Sequence, residues 1–267
     1  MRIAEFERAL LVRFPREQAE AWDHIGLSCG RPDDEVRSIA CALDASLPSV
    51  QAAADAEANV LITHHPIHIT APDAVVDAGA GHPASSRALF TAIERGVSVI
   101  SLHTNLDRSR EARELLPGLL GLTALSSLEA PDVPGIPGLG AIAEVPTWTL
   151  SDLARQAQAA FGGAPRVWGA ADHVVTKLAF LGGSLGHLGD LVVAAGADAV
   201  VTGEAGYHVC QDLLLRGVGV VLLGHDRSEE PFVNILKEAA AAICPGIGIA
   251  TIDGPQNWWT FTEGERS

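Results

Sequence analysis

Aromatic residues are scarce, at 5% of 267 positions, although hydrophobic residues as a whole reach 48%. The core is therefore expected to rest on Ala, Val and Leu. No basic run occurs anywhere, and the formal net charge is −15. That balance excludes long-range attraction to nucleic acid or to an anionic membrane surface. No stretch approaches the ~20 apolar residues of a membrane span. The opening Met1-Arg2-Ile3-Ala4-Glu5-Phe6-Glu7 carries charge where a signal peptide needs an apolar core. Cys29, Cys41, Cys210 and Cys244 are scattered, with no C-x-x-C pair, and each reads as a small buried hydrophobe. A cytoplasmic protein with one large or two small domains is expected, with no membrane and no nucleic-acid partner.

Histidine at the ends of apolar runs is what the chain does have. Val60-Leu61-Ile62 reads as a buried strand and stops at Thr63-His64-His65-Pro66. Val97–Leu102 is a second such run and ends in His103-Thr104-Asn105-Leu106-Asp107. Val218–Leu223 is a third, ending in Gly224-His225-Asp226-Arg227-Ser228-Glu229. Ligands of open α/β sheets bind beyond the carboxyl ends of the strands. Three strand ends that deliver imidazole and carboxylate make a metal-site pattern.

The pattern along the chain is βα alternation. A helix is expected over 3–14, strands at 38–43, 60–63 and 97–102, and helices at 48–58 and 85–95, the last closed by Gly96. Residues 22–27 read as a loop or short edge segment. The Pro/Gly-rich 130–140 stretch is the candidate linker, followed by a strand at 140–145 and a helix capped by Ser151 that runs to Phe161. A second βα series from 175 resembles the first. Ala58-Asn-Val-Leu-Ile-Thr63 matches Ala197-Asp-Ala-Val-Val-Thr202, and Arg95–Leu102 matches Arg216–Leu223. The expected architecture is two similar α/β domains, 1–126 plus 224–267 and 127–223, with the site in the cleft between them.

Imidazole with carboxylate suits divalent Zn, Fe, Mn, Co or Ni, and the lack of a nearby cysteine argues against a closed structural zinc site. The ligand inventory is His64, His65, Asp107, His225 and Glu229, with His103 and His68 in reserve. Adjacent His64 and His65 point apart in an extended backbone, which suits two ions bridged by a carboxylate. His103, Glu204 and His208 are candidates for proton transfer. Gly182–Asp190 is a candidate phosphate cradle, without the Lys-Ser/Thr of a Walker A loop. His82, His173 and His187 are expected at the surface, and Trp258-Trp259 at a subunit or domain contact.

These segments together resemble the GTP cyclohydrolase 1 type 2 homologue family, the NIF-three-like proteins. The resemblance runs from Trp22-Asp23-His24-Ile25-Gly26-Leu27 through Thr63-His64-His65-Pro66 and His103-Thr104-Asn105-Leu106-Asp107. It continues to Thr202-Gly203-Glu204-Ala205-Gly206-Tyr207-His208 and Gly224-His225-Asp226-Arg227-Ser228-Glu229. It implies two similar α/β domains with a dinuclear metal site between them, held by His64, His65, Asp107, His225 and Glu229 and lined by His103. It also implies a ring-shaped homohexamer, a trimer of dimers, and hydrolysis of a small nucleotide-like substrate, GTP by the family's label. Departures from the family pattern are His24 in place of Asn, Asp226 in place of Tyr, and Ile67-His68-Ile69-Thr70 without the usual lysine. The competing class is a non-catalytic metal-binding or regulatory ring protein.

Overall fold

The computed structural model describes residues 1–77, 81, 83–254 and 258. His82 and Trp259 lie outside the described residues. Helix α1 (Ile3–Arg13) leads into β1 (Gly26–Cys29), β2 (Ser38–Asp44), α2 (Leu47–Asp55), β3 (Val60–His65), α3 (Ala84–Arg95) and β4 (Ser98–Ser101). The short α4 (Thr104–Asp107) and α5 (Arg110–Leu119) follow, then β5 (Ala124–Ser126), β6 (Ala141–Thr149), α6 (Leu150–Phe161), β7 (Arg166–Trp168) and β8 (Val174–Ser184). The chain closes with α7 (Gly189–Ala194), β9 (Ala199–Glu204), α8 (Tyr207–Leu215), β10 (Gly219–Leu222), α9 (His225–Glu229), α10 (Phe232–Ile243) and β11 (Gly248–Thr251).

The strands form two sheets, in the orders β1-β4-β3-β2-β11 and β5-β6-β8-β9-β10-β7. The central strands β2, β3 and β4 run parallel, as do β8, β9 and β10. Each set carries an antiparallel edge strand that precedes it in the chain, β1 on β4 and β7 on β10. The two βα series therefore share one strand order. Their junctions match as well. Ser98 N–H bonds Asn59 O at 2.9 Å where Gly219 N–H bonds Asp198 O at 2.9 Å. Leu102 N–H bonds Thr63 O as Leu223 N–H bonds Thr202 O. The side chains of Asn59 and Asp198 each accept from two backbone N–H groups of the preceding strand.

Both sheets are buried on both faces, which explains their near-continuous apolar strands. Ile39, Cys41, Val60, Ile62 and Ile100 of one sheet share a core with Phe180, Val201 and Val221 of the other, with Phe232 and Leu236 of α10 packed among them. The opposite faces pack on α2 and α3 through Ala40, Leu61 and Val99, and on α7 and α8 through Ala179, Val200 and Val220. All four cysteines are buried and free. Helix ends follow local chemistry. Ser46 caps α2 through Ser49 N–H at 3.3 Å, and Gly96 ends α3 at φ 69°, where a side chain would be strained.

Three local expectations need correction. The 130–140 stretch is no linker between sheets, because it joins β5 to β6, which pair with each other. Helix α6 is capped by Thr149 and not Ser151, since Thr149 and Asp152 exchange hydrogen bonds as a capping box. Strand β3 extends to His65, because Asp44 stands opposite it in register and continues the ladder.

Candidate metal centre

In β3 the side chains alternate, so His64 shares the inner face with Val60 and Ile62 and is fully buried beside the Phe232 ring. Its Nδ1 donates to the Leu102 carbonyl at 3.0 Å. A carbonyl only accepts, so Nδ1 carries a proton there and Nε2 is the atom turned toward the cluster. That Nε2 is buried and has no hydrogen-bond partner. It lies 3.5 Å from Asp107 Oδ1 and 3.7 Å from Glu229 Oε1. A buried ring nitrogen without a hydrogen-bond partner beside two carboxylates is an arrangement that a cation would satisfy.

The other imidazoles repeat the arrangement. His65 Nδ1 donates to Asp44 Oδ1 at 2.7 Å, and its Nε2 meets Glu229 Oε2 at 2.9 Å. His225 Nδ1 faces Glu204 Oε1 at 3.2 Å, and its Nε2 lies 3.1 Å from the same Glu229 Oε2. His103 Nδ1 donates to Asp23 Oδ1 at 2.9 Å. Outer partners that hold Nδ1 and aim Nε2 inward are what orients metal-ligating histidines. The rings of His64 and His65 lie only 5.0 Å apart. They do not diverge, as an extended backbone suggested, but reach the two oxygens of one carboxylate.

Glu229 owes its position to the one-turn helix α9, which starts at His225 and returns Glu229 to the same side four residues later. Ser228 braces this helix. Its hydroxyl donates to His225 O and accepts from Gly183 N–H, tying α9 to β8. Among the described residues, three donor groups have their atoms within 4.8 Å of one another: His64 with Asp107 and Glu229, His65 with His225 and Glu229, and His64 with His65 and His103. The first two share Glu229, one through each oxygen.

Charge follows geometry. Burial disfavours the Glu229 carboxylate, but His225, His64 and His65 outweigh it and hold its pKa well below the usual range. Burial also opposes an imidazolium at His65, yet Asp44 and Glu229 raise its pKa to about 10. Glu229 raises His225 to about 9 against burial, with help from Glu204. Burial pushes Asp107 up, with His64 working against it. Burial works likewise on Asp23, but His103 and two donors from Thr104 bring it down to about 2. In the metal-free cluster His65 and His225 are thus held toward the imidazolium form around an ionised Glu229.

The five expected ligands all converge here, and His103 and Glu204 adjoin them. His208 does not, since it lies on the exposed side of α8 with Nδ1 at 3.3 Å from Gln211. His68 pairs with His24 at a ring distance of 5.2 Å, outside the three donor groups. Sequence reasoning gave no role to Asp44 or Asp23. Asp44 was detectable as an acid at the end of an apolar strand. His187 is exposed, as expected, and also lines the cavity of about 620 Å³ that opens onto the cluster. His173 is half-buried, with Nε2 on Asp198 O.

A family model described as Duf34/NIF3 (NGG1p interacting factor 3) matches residues 1–255. The chain belongs to the Duf34/NIF3 family. A Streptomyces coelicolor protein named "GTP cyclohydrolase 1 type 2 homolog" is 32% identical over 214 residues, covering 78% of this chain and 74% of that one. A Clostridium acetobutylicum protein of the same name is 26% identical over 242 residues, covering 89% and 88%. Among solved structures, a Staphylococcus aureus hypothetical protein aligns with a TM-score of 0.86 at 23% identity, over 98% of this chain and 99% of that one. That likeness shows a shared fold of mixed α/β type with two sheets.

Proposed function

We propose that this Duf34/NIF3 protein is a metal-dependent hydrolase with a two-ion centre acting on a small nucleotide-like molecule. The observation that carries the reading is Glu229, whose two oxygens face two separate donor groups. His64, Asp107 and Glu229 Oε1 would hold one divalent ion, and His65, His225 and Glu229 Oε2 the other. When bound, such a pair supplies Lewis acidity and makes water a nucleophile near neutral pH. The chain's own residues do the rest. Asp44, Glu204 and the Leu102 carbonyl fix the ligand rings through Nδ1. Asp23 does the same for His103, which leaves His103 Nε2 free to hold or move a proton beside the cluster. The name carried by the relatives suggests opening of a purine imidazole ring as the reaction.

In the same reading the chain divides into two units along its sheets, with β11 returning to the first sheet and β5 (Ala124–Ser126) already in the second, so that the boundary expected at 126/127 falls ahead of Ala124. Assembly as a homohexamer belongs to the same reading. No helix among the described residues is long and apolar enough to cross a membrane. The test is a metal-replete turnover screen over nucleotides, nucleosides, phosphoesters and cyclic amides. Wild-type turnover that Glu229→Ala and His225→Ala abolish, with the fold intact by circular dichroism, is the expected result. Stoichiometric metal without turnover on the whole panel would replace this reading with a metal-binding role.

A further inference from the structure

The first half places two histidines at the end of β3, and the matching strand of the second half places none. With Thr63 matched to Thr202, His64 falls on Gly203 and His65 on Glu204. The two strand ends sit at equivalent junctions, since Leu102 N–H bonds Thr63 O as Leu223 N–H bonds Thr202 O. The room left by the absent side chain at Gly203 is taken by α9. A Cβ at Gly203 would stand 2.5 Å from Ser228 Oγ, 2.5 Å from Gly183 O and 2.8 Å from His225 Cα. Two of those atoms are backbone, so a side chain there would have to lift α9 from the sheet. That helix carries His225 and Glu229. The second half therefore serves the cluster by leaving space for the helix that brings its last two ligands.

Gly183, near the end of β8, meets the same helix at its carboxylate. Its φ is +61°, in the left-handed region that favours glycine. A Cβ on it would collide with Glu229 Oε1 and stand 3.0 Å from Glu229 Cδ and 3.2 Å from His225 Nε2, closer than ordinary contact at about 3.5 Å. Glu229 Oε1 is the oxygen that faces His64 Nε2 at 3.7 Å, and the Glu229 side chain is 5% exposed, so the carboxylate has little open space to move into. Gly182 lies against the same side chain, with a Cβ 3.1 Å from Glu229 Cγ and 3.0 Å from Phe232 Cε2. Gly186 differs from both. Its φ is also positive, at +52°, but nothing lies within 4 Å of its Cβ.

We propose that Gly183 is a positioning residue for Glu229, its bare backbone leaving the room in which Oε1 reaches the His64 and Asp107 side of the cluster. The proposal rests on the metal-binding reading above, but its test reads metal content and not turnover. Zinc is counted by elemental analysis after gel filtration, and its affinity is read by competition with a chromophoric chelator. Gly183→Ala is expected to keep one ion and to weaken the other about 100-fold, the size of loss that follows when a ligand is no longer held in place. Gly182→Ala, which pushes Glu229 without a positive φ, should weaken the same ion about tenfold and stands in if Gly183→Ala does not fold. Gly186→Ala, which adds comparable backbone strain without touching Glu229, should stay within about twofold of wild type. Asp107→Ala added to Gly183→Ala should cost no second ion, because both changes act on the same side. Zinc binding unchanged in Gly183→Ala, or in Gly182→Ala standing in for it, overturns the proposal. So does an equal loss in Gly186→Ala, or loss of both ions in the double variant. A single ion in wild type removes the two-ion reading, and this proposal then stands only if Gly183→Ala weakens that ion and Gly186→Ala does not.

Discussion

Glu229→Gln isolates the role of the shared carboxylate, because it keeps the shape of the side chain and removes the charge. In metal-free protein the His65 pKa stands at about 10 against an ordinary 6.5. At about 1.4 kcal/mol per pH unit, that rise is worth about 5 kcal/mol of differential interaction. Asp44 and Glu229 share it. His65 is 20% exposed and Glu229 5%, so little is lost to solvent, whereas His225 is 40% exposed and its share is screened. A loss of about 2 kcal/mol is expected for Glu229→Gln near pH 6. The sign follows from both partners. His65 is raised in the folded state, so its contribution is complete below 6.5 and fades as pH climbs through about 10. Glu229 is depressed, so its contribution requires a pH above 4.5. The penalty should therefore be largest between about pH 5 and 6.5 and nearly gone above pH 10. Urea unfolding of wild type and variant in chelator, at pH 6, 8 and 10, measures it. An equal penalty at pH 6 and pH 10 would mean that Glu229 acts through packing, and no penalty at pH 6 would refute the charge argument.

Elemental analysis of protein prepared without chelator should approach two divalent ions per chain. Glu229→Ala should lower both, and Asp107→Ala, which faces only the His64 side, should lower one; a single tightly held ion indifferent to both changes would end the two-ion model. At pH 7, metal loading should release about two protons per chain, from His65 and His225, and none above about pH 10; calorimetry in buffers of different ionisation enthalpy reads this directly. Asp44→Ala should weaken metal binding about 10- to 100-fold while leaving all five ligands in place, since it removes only the group that orients His65. Light scattering should return a closed oligomer of six 27.8 kDa chains, and a clean monomer at micromolar concentration would contradict that assembly.

Much of the site was legible because its ligands occupy a repeated local position. His64, His65 and the residues after His103 and Gly224 follow apolar strands, and a strand end is recognisable from a few neighbouring residues. The i, i+4 relation of His225 and Glu229 was legible for the same reason. In the glycine-rich turn, a Gly-Gly-Ser sequence does not reveal that Gly183 N–H is bonded to Ser228 and Leu185 N–H to Glu204. The 130–140 stretch misled because Pro and Gly mark a turn equally well inside a sheet and between sheets.

Taken alone, the sequence determined the βα alternation, the two matching series, the cap at Gly96, and the five His and carboxylate residues that converge in the cluster. Each of these is set by propensity, periodicity and turn chemistry over a short span of chain. Only the tertiary structure decided that Glu229 is the shared carboxylate, because its partner His65 is 164 residues away and the two meet only when the sheets pack. It also decided which groups hold the rings, with Asp44, Leu102 and Asp23 lying 21, 38 and 80 residues from the imidazoles they orient. Ring orientation and proton placement depend on hydrogen bonds across strands and sheets, and no local pattern encodes those partners.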